Sequence, residues 1–334
     1  MILVTGATGH IGNTLVRALL ARGQRVRAML LPGEDDSPLQ GLDVEQVRAD
    51  VLDFTSIRTA FDHVRQVYHL AGLISILPGR QRLLRAVNIV GTRHVLHAAS
   101  EAGVQKLVYT SSIHALRRVP HGVCIDERLP FDPQGALSAY DASKAQASLE
   151  VQQAARAGMP ATIVCPTGVI GPYDFRRSEI ANVVLSCMDG KPQLYVEGAY
   201  DFVDVRDVAE GMILACELGR QGESYLLGGE QLSVHRLLDL VGQLTRRGFA
   251  RVRIPLRLAM LVARAAPAYY QIARIRPRIT PYTLETLTGN SFVSHAKAGE
   301  DLGYAPRPLR ESLADMIAWL RENRHAIADP ASIR

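Results

Sequence analysis

A tyrosine and a lysine four residues apart are the first candidates for chemistry. Tyr140 and Lys144 lie in the segment Tyr-Asp-Ala-Ser-Lys-Ala-Gln-Ala, whose pattern predicts a helix. Residues i and i+4 share one face of a helix, so the lysine ammonium would lie near the phenol and lower its pKa from about 10. Such a tyrosine can donate a proton to a carbonyl group, or accept one from an alcohol in the reverse direction.

A serine is predicted to join this pair. Residues 108–112 read Val-Tyr-Thr-Ser-Ser and end the fifth predicted strand. Ligands of open α/β sheets bind at the carboxyl ends of the strands, and a hydroxyl there can orient a substrate oxygen toward Tyr140. We therefore predict Ser112, Tyr140 and Lys144 as the catalytic residues, with Ser111 as the alternative to Ser112.

A glycine-rich segment follows the first predicted strand and opens the first helix. Residues 5–12 read Thr-Gly-Ala-Thr-Gly-His-Ile-Gly. Gly6 would make the tight turn, Gly9 would let backbone amides approach a pyrophosphate, and Gly12 would let the helix pack close to the strand. The helix N-terminus adds partial positive charge. The segment therefore predicts binding of a dinucleotide.

Residues at the ends of other strands are predicted to contact the same cofactor. Asp50 is placed either to hydrogen-bond an adenine amino group or to lie in solvent. The run at 69–72 offers small residues where the backbone passes a ribose, and Asn88 has either a supporting or a plain structural role. The predicted cofactor-binding residues are Thr5, Gly6, Thr8, Gly9, His10, Ile11, Gly12, Arg27, Asp50, Val51, Leu70, Ala71, Gly72, Asn88, Thr110, Ser111, Tyr140, Lys144, Pro166, Gly168 and Val169.

The choice between NAD and NADP depends on the end of the second strand. An acid there would bind the adenosine ribose and repel a 2′-phosphate, but residues 29–31 read Met-Leu-Leu. Arg27 is near, and Glu34, Asp35 and Asp36 lie beyond the strand and could reach back. Because the acid is missing, NADP is favoured over NAD.

Hydrophobic periodicity predicts an α/β fold. Predicted strands are 2–5, 26–30, 44–47, 66–70, 106–110 and 162–165, and predicted helices are 11–22, 56–64, 82–101, 140–157, 178–188, 205–218, 234–244 and 309–322. Alternating apolar strands and helices indicate a Rossmann, doubly wound parallel sheet. We assign 1–165 to a dinucleotide-binding domain, with 202–218 returning to it, and 166–330 mainly to a smaller α+β substrate-binding lobe.

Composition excludes several classes of function. The 334 residues are 47% hydrophobic and 21% charged, as in ordinary globular proteins. The net charge of +5 comes from arginines that we interpret as scattered, without a nucleic-acid-binding motif. The four cysteines form no Cys-x-x-Cys pair, so no metal site or disulfide is predicted. An apolar strand at residue 2 leaves no room for a signal peptide, which predicts a cytoplasmic protein.

Together these motifs resemble the extended short-chain dehydrogenase/reductase superfamily, the group of NAD-dependent epimerases and dehydratases. The resemblance implies a Rossmann domain, a nicotinamide cofactor, and proton transfer by Tyr140 with help from Ser112 and Lys144. It also implies a homodimer through the helices that contain Asn88 and Tyr140. The matching positions are 5–12, 50, 69–72, 88, 111–112, 140, 144, 166–172 and 201–207.

Departures from the sugar-nucleotide members guide the choice of substrate. The 4,6-dehydratases carry an Asp-Glu pair where this chain has Ile113-His114. The epimerases usually carry an asparagine and an arginine where it has Gly168 and Tyr200. Loss of that arginine removes a charge-assisted contact with a diphosphate. Other arginines could replace it, namely Arg176, Arg177 and Arg206. A nucleotide-sugar epimerase is therefore the alternative prediction.

The runs at 109–113 and 166–172 resemble the 3β-hydroxysteroid dehydrogenase and dihydroflavonol 4-reductase branch. This resemblance implies hydride transfer between nicotinamide and a ketone or secondary alcohol of a bulky apolar small molecule, steroid- or flavonoid-like. An alternative of another class is a non-catalytic NAD(P)-binding sensor or assembly protein. Retention of the three catalytic residues argues against it.

Arginines surround apolar residues between positions 254 and 279. One interpretation is a helix on an anionic membrane surface. The other is a helix of the substrate lobe whose arginines extend into solvent. We favour the second, because Pro255, Pro267 and Pro277 would break up a long interfacial helix.

Overall fold

A parallel sheet organises the first half of the chain. The computed structural model describes residues 1–75, 79–273 and 280–324. Within them the strands are β1 (Ile2–Thr5), β2 (Val26–Leu30), β3 (Glu45–Arg48), β4 (Gln66–His69), β5 (Lys106–Thr110), β6 (Ala161–Pro166), β7 (Gly168–Ile170), β8 (Gln193–Tyr195), β9 (Ala199–Asp204), β10 (Ser224–Leu227), β11 (Glu230–Ser233) and β12 (Arg251–Arg253). Seven form one sheet in the order β3-β2-β1-β4-β5-β6-β10, every neighbouring pair parallel. The order reverses between β1 and β4, where such sheets bind ligands.

Helices cover both faces of this sheet. Their bounds are α1 (His10–Ala21), α2 (Phe54–Ala60), α3 (Gln81–Arg85), α4 (Gly91–Glu101), α5 (Ala139–Arg156), α6 (Glu179–Met188), α7 (Val205–Glu217), α8 (Val234–Thr245), α9 (Leu256–Ala273), α10 (Pro281–Leu287), α11 (Ala296–Leu302) and α12 (Leu309–Glu322). Successive strand residues point to opposite sides. Leu3 therefore packs with apolar residues of α2, α4 and α5, whereas Val4 packs with those of α1, α7 and α11. The doubly wound architecture expected from the sequence is confirmed.

The second half builds a smaller α+β lobe. In its three-stranded sheet, β9 lies between β7, to which it is parallel, and β11, to which it is antiparallel. A separate parallel pair joins β8 and β12. Helices α6, α8 and α12 share a core with this lobe, in which Trp319 packs edge-on against Phe175.

The segment that returns to the large sheet differs from the predicted 202–218. Residues 202–204 belong to β9 and stay in the small sheet, whereas α7 packs on α1. The strand β10, absent from the sequence prediction, then extends the large sheet beside β6. Its Tyr225, Leu226 and Leu227 are fully buried, so four residues are enough to form an edge strand there.

Two helices depart from their expected form. The predicted helix 82–101 is divided into α3, a wide π-helical turn over residues 86–90 that carries Asn88, and α4. Helix α9 begins after Pro255 and continues through Pro267, which corrects the expectation that proline would interrupt it; residue 277 lies outside the described residues. Within the described residues, none of the helices has the length and apolar character needed to cross a membrane.

Candidate active site

The glycine loop forms a close-fitting turn between β1 and α1. Gly6 adopts φ +67°, and a Cβ added to it would lie 2.8 Å from the Ala71 amide nitrogen. A Cβ on Gly12 would lie 2.1 Å from the Gly6 carbonyl oxygen, so the helix could not start where it does with any larger residue. The loop and the N-terminus of α1 thus meet the end of β4 at the switch point. These residues fit a dinucleotide phosphate.

Thr5 shapes this loop from beneath. Its side chain is fully buried, and its hydroxyl accepts hydrogen bonds from the amides of Leu70 (3.1 Å) and Ala71 (3.0 Å). The same hydroxyl lies 2.8 Å from Nδ1 of His69, whose burial lowers its pKa to about 3. Thr5 therefore ties β1 to β4, and its predicted contact with a cofactor stays a prediction.

Lys144 stands between the ends of β4 and β5. Its Nζ donates a hydrogen bond to the Thr110 carbonyl oxygen (2.8 Å) and lies 5.1 Å from the centre of the Tyr109 ring. Burial lowers the pKa of Lys144 to about 8. A Cβ on Gly72 would lie 3.3 Å from this Nζ, so glycine keeps the space beside the ammonium open. The lysine and Gly72 are suited to a nicotinamide ribose.

Tyr140 is buried, and burial raises the pKa of its phenol well above the usual value. The Asp141 carboxylate raises this pKa further, whereas the Ser112 hydroxyl, which hydrogen-bonds the phenol, lowers it. The lysine ammonium donates to Thr110. Its predicted effect on the phenol, together with the positive charge of an oxidised nicotinamide, stays a prediction. The phenol remains protonated at neutral pH and can donate its proton.

The two serines after β5 have different partners. Ser111 Oγ lies 2.6 Å from Ser148 Oγ on α5 and holds strand and helix together. Ser112 Oγ accepts a hydrogen bond from the His114 amide (3.2 Å) and shares a hydrogen bond with Tyr140. The structure therefore brings Ser112 together with Tyr140, while Ser111 faces α5.

Asn88 acts through its neighbours. It is buried, its Oδ1 accepts from the Leu73 amide (2.7 Å), and its Nδ2 donates to Ser143 Oγ (2.8 Å). Ser143 in turn donates to the Tyr140 carbonyl oxygen (2.7 Å). Asn88 therefore links residue 73 to the helix of Tyr140. This geometry agrees with the supporting role considered for Asn88, as a positioning residue, and a direct contact with the cofactor stays a prediction.

Three residues that the sequence marked only as departures contact one another beside this site. Tyr200 Oη lies 2.6 Å from His114 Nε2, and a Cβ on Gly168 would lie 2.7 Å from the Tyr200 ring. Burial lowers the pKa of His114 to about 4, so the pair is uncharged at neutral pH. Sequence reasoning missed this cluster because the three positions are distant in the chain. Their shared departure from the sugar-nucleotide pattern was the available signal.

A carboxylate of α5 connects the site to the second lobe. Tyr282 of α10 donates a hydrogen bond to Asp141 Oδ1 (2.8 Å), and burial raises the pKa of Asp141 to about 6. A cavity opens here between the two lobes. Its lining includes Ile113, His114, Arg118, Leu137, Asp141, Tyr200, Thr286 and Val293.

Glu34 reaches the glycine loop from beyond β2. Its carboxylate accepts hydrogen bonds from the Leu31 amide (2.8 Å) and the Thr8 hydroxyl (2.6 Å). Arg176, from the second lobe, forms an ion pair with Glu34 and donates to the Thr8 hydroxyl (2.6 Å). An acid is thus present at the end of the second strand, although the sequence pattern indicated that it was missing.

The remaining predicted cofactor residues divide between the two ends of the sheet. Arg27 pairs with Glu45 (2.6 Å) and donates to the carbonyls of Ala60 and Asp62, away from the glycine loop, which corrects its predicted role. Its position early in β2 explains this, because the strand's carboxyl end is three residues further on. The others flank the loop or end their strands, namely Gly9, His10, Ile11, Asp50, Val51, Pro166 and Val169.

Comparison with known proteins agrees with this geometry. Residues 2–228 match the NAD dependent epimerase/dehydratase family. The chain is 37% identical to sterol demethylase protein B of Methylococcus capsulatus, over 96% of this chain and 98% of that protein. It is 30% identical to the 3-beta-hydroxysteroid dehydrogenase of Mycolicibacterium neoaurum, over 91% and 87% of the two chains. The crystal structure of gox2253 superposes with a TM-score of 0.85 at 35% identity, covering 97% and 98% of the chains.

The chain therefore belongs to the NAD-dependent epimerase/dehydratase family, the extended short-chain dehydrogenases/reductases. It is an enzyme of the oxidoreductase type that acts on CH–OH groups. The predicted family and class of enzyme are confirmed.

The raised pKa of Asp141 predicts an effect on stability. The carboxylate is disfavoured in the folded state, so Asp141→Asn should raise the free energy of unfolding by about 1–3 kcal/mol above pH 6. The gain should decline between pH 6 and about 4 and vanish below, where the native acid is protonated in both states. Denaturant unfolding across this pH range measures it. Exposed Asp43, changed to Asn, is the control and should show no change. A less stable Asp141→Asn protein at pH 7.5 would contradict the assignment.

Proposed function

We propose that this enzyme transfers a hydride between nicotinamide and a ketone or secondary alcohol of a bulky, apolar, steroid- or flavonoid-like molecule. The observation that carries the proposal is the convergence of Ser112, Tyr140 and Lys144 beside Gly72, next to a cavity that apolar and aromatic side chains line together with polar ones. NAD(P) would be held by the glycine loop and by Lys144, and it supplies or accepts the hydride when bound.

The chain's own residues supply the proton. In the reductive direction, the Ser112 hydroxyl orients the carbonyl oxygen and Tyr140 donates its phenolic proton to that oxygen. Lys144, with a pKa lowered to about 8, keeps its positive charge near neutral pH and favours the phenolate that remains. In the oxidative direction, Tyr140 accepts the proton of the alcohol.

The cluster of Gly168, Tyr200 and His114 supports the choice of substrate. Tyr200 fills the position of the epimerase arginine that binds a diphosphate, and Gly168 gives its ring the space it needs. His114 lies where the dehydratases carry an acid. It is neutral, and its Nε2 is hydrogen-bonded to the Tyr200 hydroxyl. The three changes together replace an amide and two charged groups by a glycine and two aromatic side chains, which suit an apolar ring system better than a nucleotide sugar.

The names of the relatives agree with this choice. A sterol demethylase protein and a 3-beta-hydroxysteroid dehydrogenase are similar to this chain over nine-tenths or more of its length. No described residue of the site favours epimerisation over net oxidation or reduction.

The geometry supports NAD as the preferred cofactor. The preference for NADP depended on a missing acid, and Glu34 supplies that acid at the end of β2. Its carboxylate would accept hydrogen bonds from ribose hydroxyls and repel a 2′-phosphate. Arg176 partly balances this charge, so we propose a preference and not an exclusion of NADP.

Removal of the proton donor is expected to abolish turnover without loss of the cofactor. Tyr140→Phe should lower kcat by about 10²- to 10⁴-fold, because general acid–base catalysis contributes about that much. The dissociation constant for NADH, measured by the fluorescence of its reduced nicotinamide, should stay within about threefold of the original. The control is Tyr68→Phe, which removes another buried phenol, that of Tyr68 on β4. Undiminished turnover in the Tyr140→Phe protein would contradict the assignment of Tyr140 as the proton donor.

A ligand panel tests the class of substrate. With NAD present, ketosteroids or flavanones should raise the melting temperature, since a ligand at about 100 times its Kd stabilises a protein by about 2.7 kcal/mol. With NADH in place of NAD, the same ligands should lower the absorbance of the reduced nicotinamide, because hydride passes from NADH to the ketone. Stabilisation by UDP- or dTDP-sugars alone, without net change of that absorbance, would instead support the epimerase.

The cofactor preference can be reversed at one residue. Glu34→Gln should lower the ratio of kcat/KM for NAD to that for NADP by about 10- to 100-fold, the size of a charge-assisted hydrogen bond. Asp35→Asn removes a neighbouring charge that is bonded only locally to Ser37, and it should leave the ratio unchanged. An unaltered ratio in Glu34→Gln would mean that Glu34 does not contact the ribose.

A further inference from the structure

Helix α9 presents an apolar stripe to solvent. Leu258, Leu261 and Val262 are 52%, 68% and 52% exposed, although they are large aliphatic residues. We call these three the α9 stripe. The opposite side of the helix packs inward through Ala259 and Ala263. At 3.6 residues per turn, the α9 stripe lies on the side away from these alanines, so the protein's own core leaves it uncovered.

Positive charge is concentrated in the stretch of sequence that contains this helix. Residues 240–284 contain nine arginines and no aspartate, glutamate or lysine. Since the whole chain carries +5 and this segment carries +9, the rest carries −4. The interpretation of the arginines as scattered is therefore corrected. Arg257 and Arg264 are exposed and lie on α9 along one border of the stripe.

We propose that the α9 stripe and its arginines dock on an anionic lipid surface. Such a surface offers both partners that the helix requires, an apolar layer for the leucines and phosphate headgroups for the arginines. A nucleic acid would satisfy the arginines but not Leu258 and Leu261. The argument from prolines against this interpretation no longer holds, because α9 is continuous through Pro267.

The helix is also close to the candidate active site. Its inward side packs against Leu284 of α10. The same short helix carries Tyr282, whose hydroxyl binds Asp141 next to the proton donor Tyr140. One helix thus separates the docking surface from the pocket. We infer that an apolar substrate dissolved in the bilayer enters from this side, a step that rests on the proposed function, whereas docking itself does not.

Vesicle flotation with the whole protein tests the docking. Wild-type protein should float with vesicles of phosphatidylcholine and phosphatidylglycerol, but not with phosphatidylcholine alone, and should be released by about 1 M salt. Leu258→Ser combined with Leu261→Ser should abolish flotation, and Arg257→Gln with Arg264→Gln should weaken it about 10- to 30-fold. Leu218→Ser, at a residue 56% exposed beyond the end of α7, and Arg156→Gln on α5 are the matched controls and should bind as wild type.

Several results would overturn the proposal. These are absence of flotation, unchanged flotation of the α9 variants, or binding of RNA but not vesicles. Another is a dimer, seen by light scattering, that the leucine variants dissociate, since the face would then join two copies.

Delivery of substrate is tested separately. The α9 variants should keep wild-type kcat/KM for a water-soluble ketone but turn over a vesicle-embedded steroid several-fold more slowly. Flotation without turnover of any ketone or alcohol would refute the proposed function and leave the docking intact.

Discussion

The cost of burying the Lys144 ammonium determines much of the architecture around it. A charge removed from water costs several kcal/mol unless polar groups surround it. Here the Thr110 carbonyl oxygen accepts its hydrogen bond, and the Tyr109 ring faces it. The ends of β4 and β5 and the register of α5 must therefore match within a few tenths of an ångström. Gly72 belongs to the same constraint, because a side chain there would collide with Lys144 and Asn88.

Buried serine hydroxyls hold α5 in that register, so the hydroxyls of Ser112 and Tyr140 are not needed for this purpose. Ser143, Ser148 and Ser111 all bond to protein partners within the core. Asn88 adds a second link, and the wide π-helical turn at 86–90 carries it. Such turns recur at functional sites because they displace one residue from the regular helical path. Ser112 and Tyr140 are consequently bonded to each other at the mouth of the pocket, with the proton still on the phenol.

Local patterns predicted the glycine loop and the Tyr140–Lys144 pair well, because their geometry is set within a few residues by a turn and by one face of a helix. The predictions that depended on where a strand or loop carries a residue in three dimensions were wrong. Arg27 was assigned by nearness in sequence, although its strand directs it to the opposite edge. Glu34 was named as able to reach back, but it did not decide the choice of cofactor, because no pattern indicates that the chain folds back to Thr8. The direction of the pKa shift of Tyr140 depended on burial, which short-range spacing does not report.

The pKa shifts of the side chains around the pocket all favour the uncharged form of each group. Burial raises the pKa of Asp141 to about 6 and the pKa of Tyr140 and Tyr200 well above the usual value, and it lowers the pKa of His114 to about 4. These four side chains disfavour charge, and a doubly charged ligand beside them would also lose hydration, although the guanidinium groups of Arg117 and Arg118 line the cavity as well. An apolar ketone suffers no such penalty and gains from contact with the aromatic side chains. The identities of Gly168 and Tyr200 and the neutral state of His114 therefore support the class of substrate that we propose.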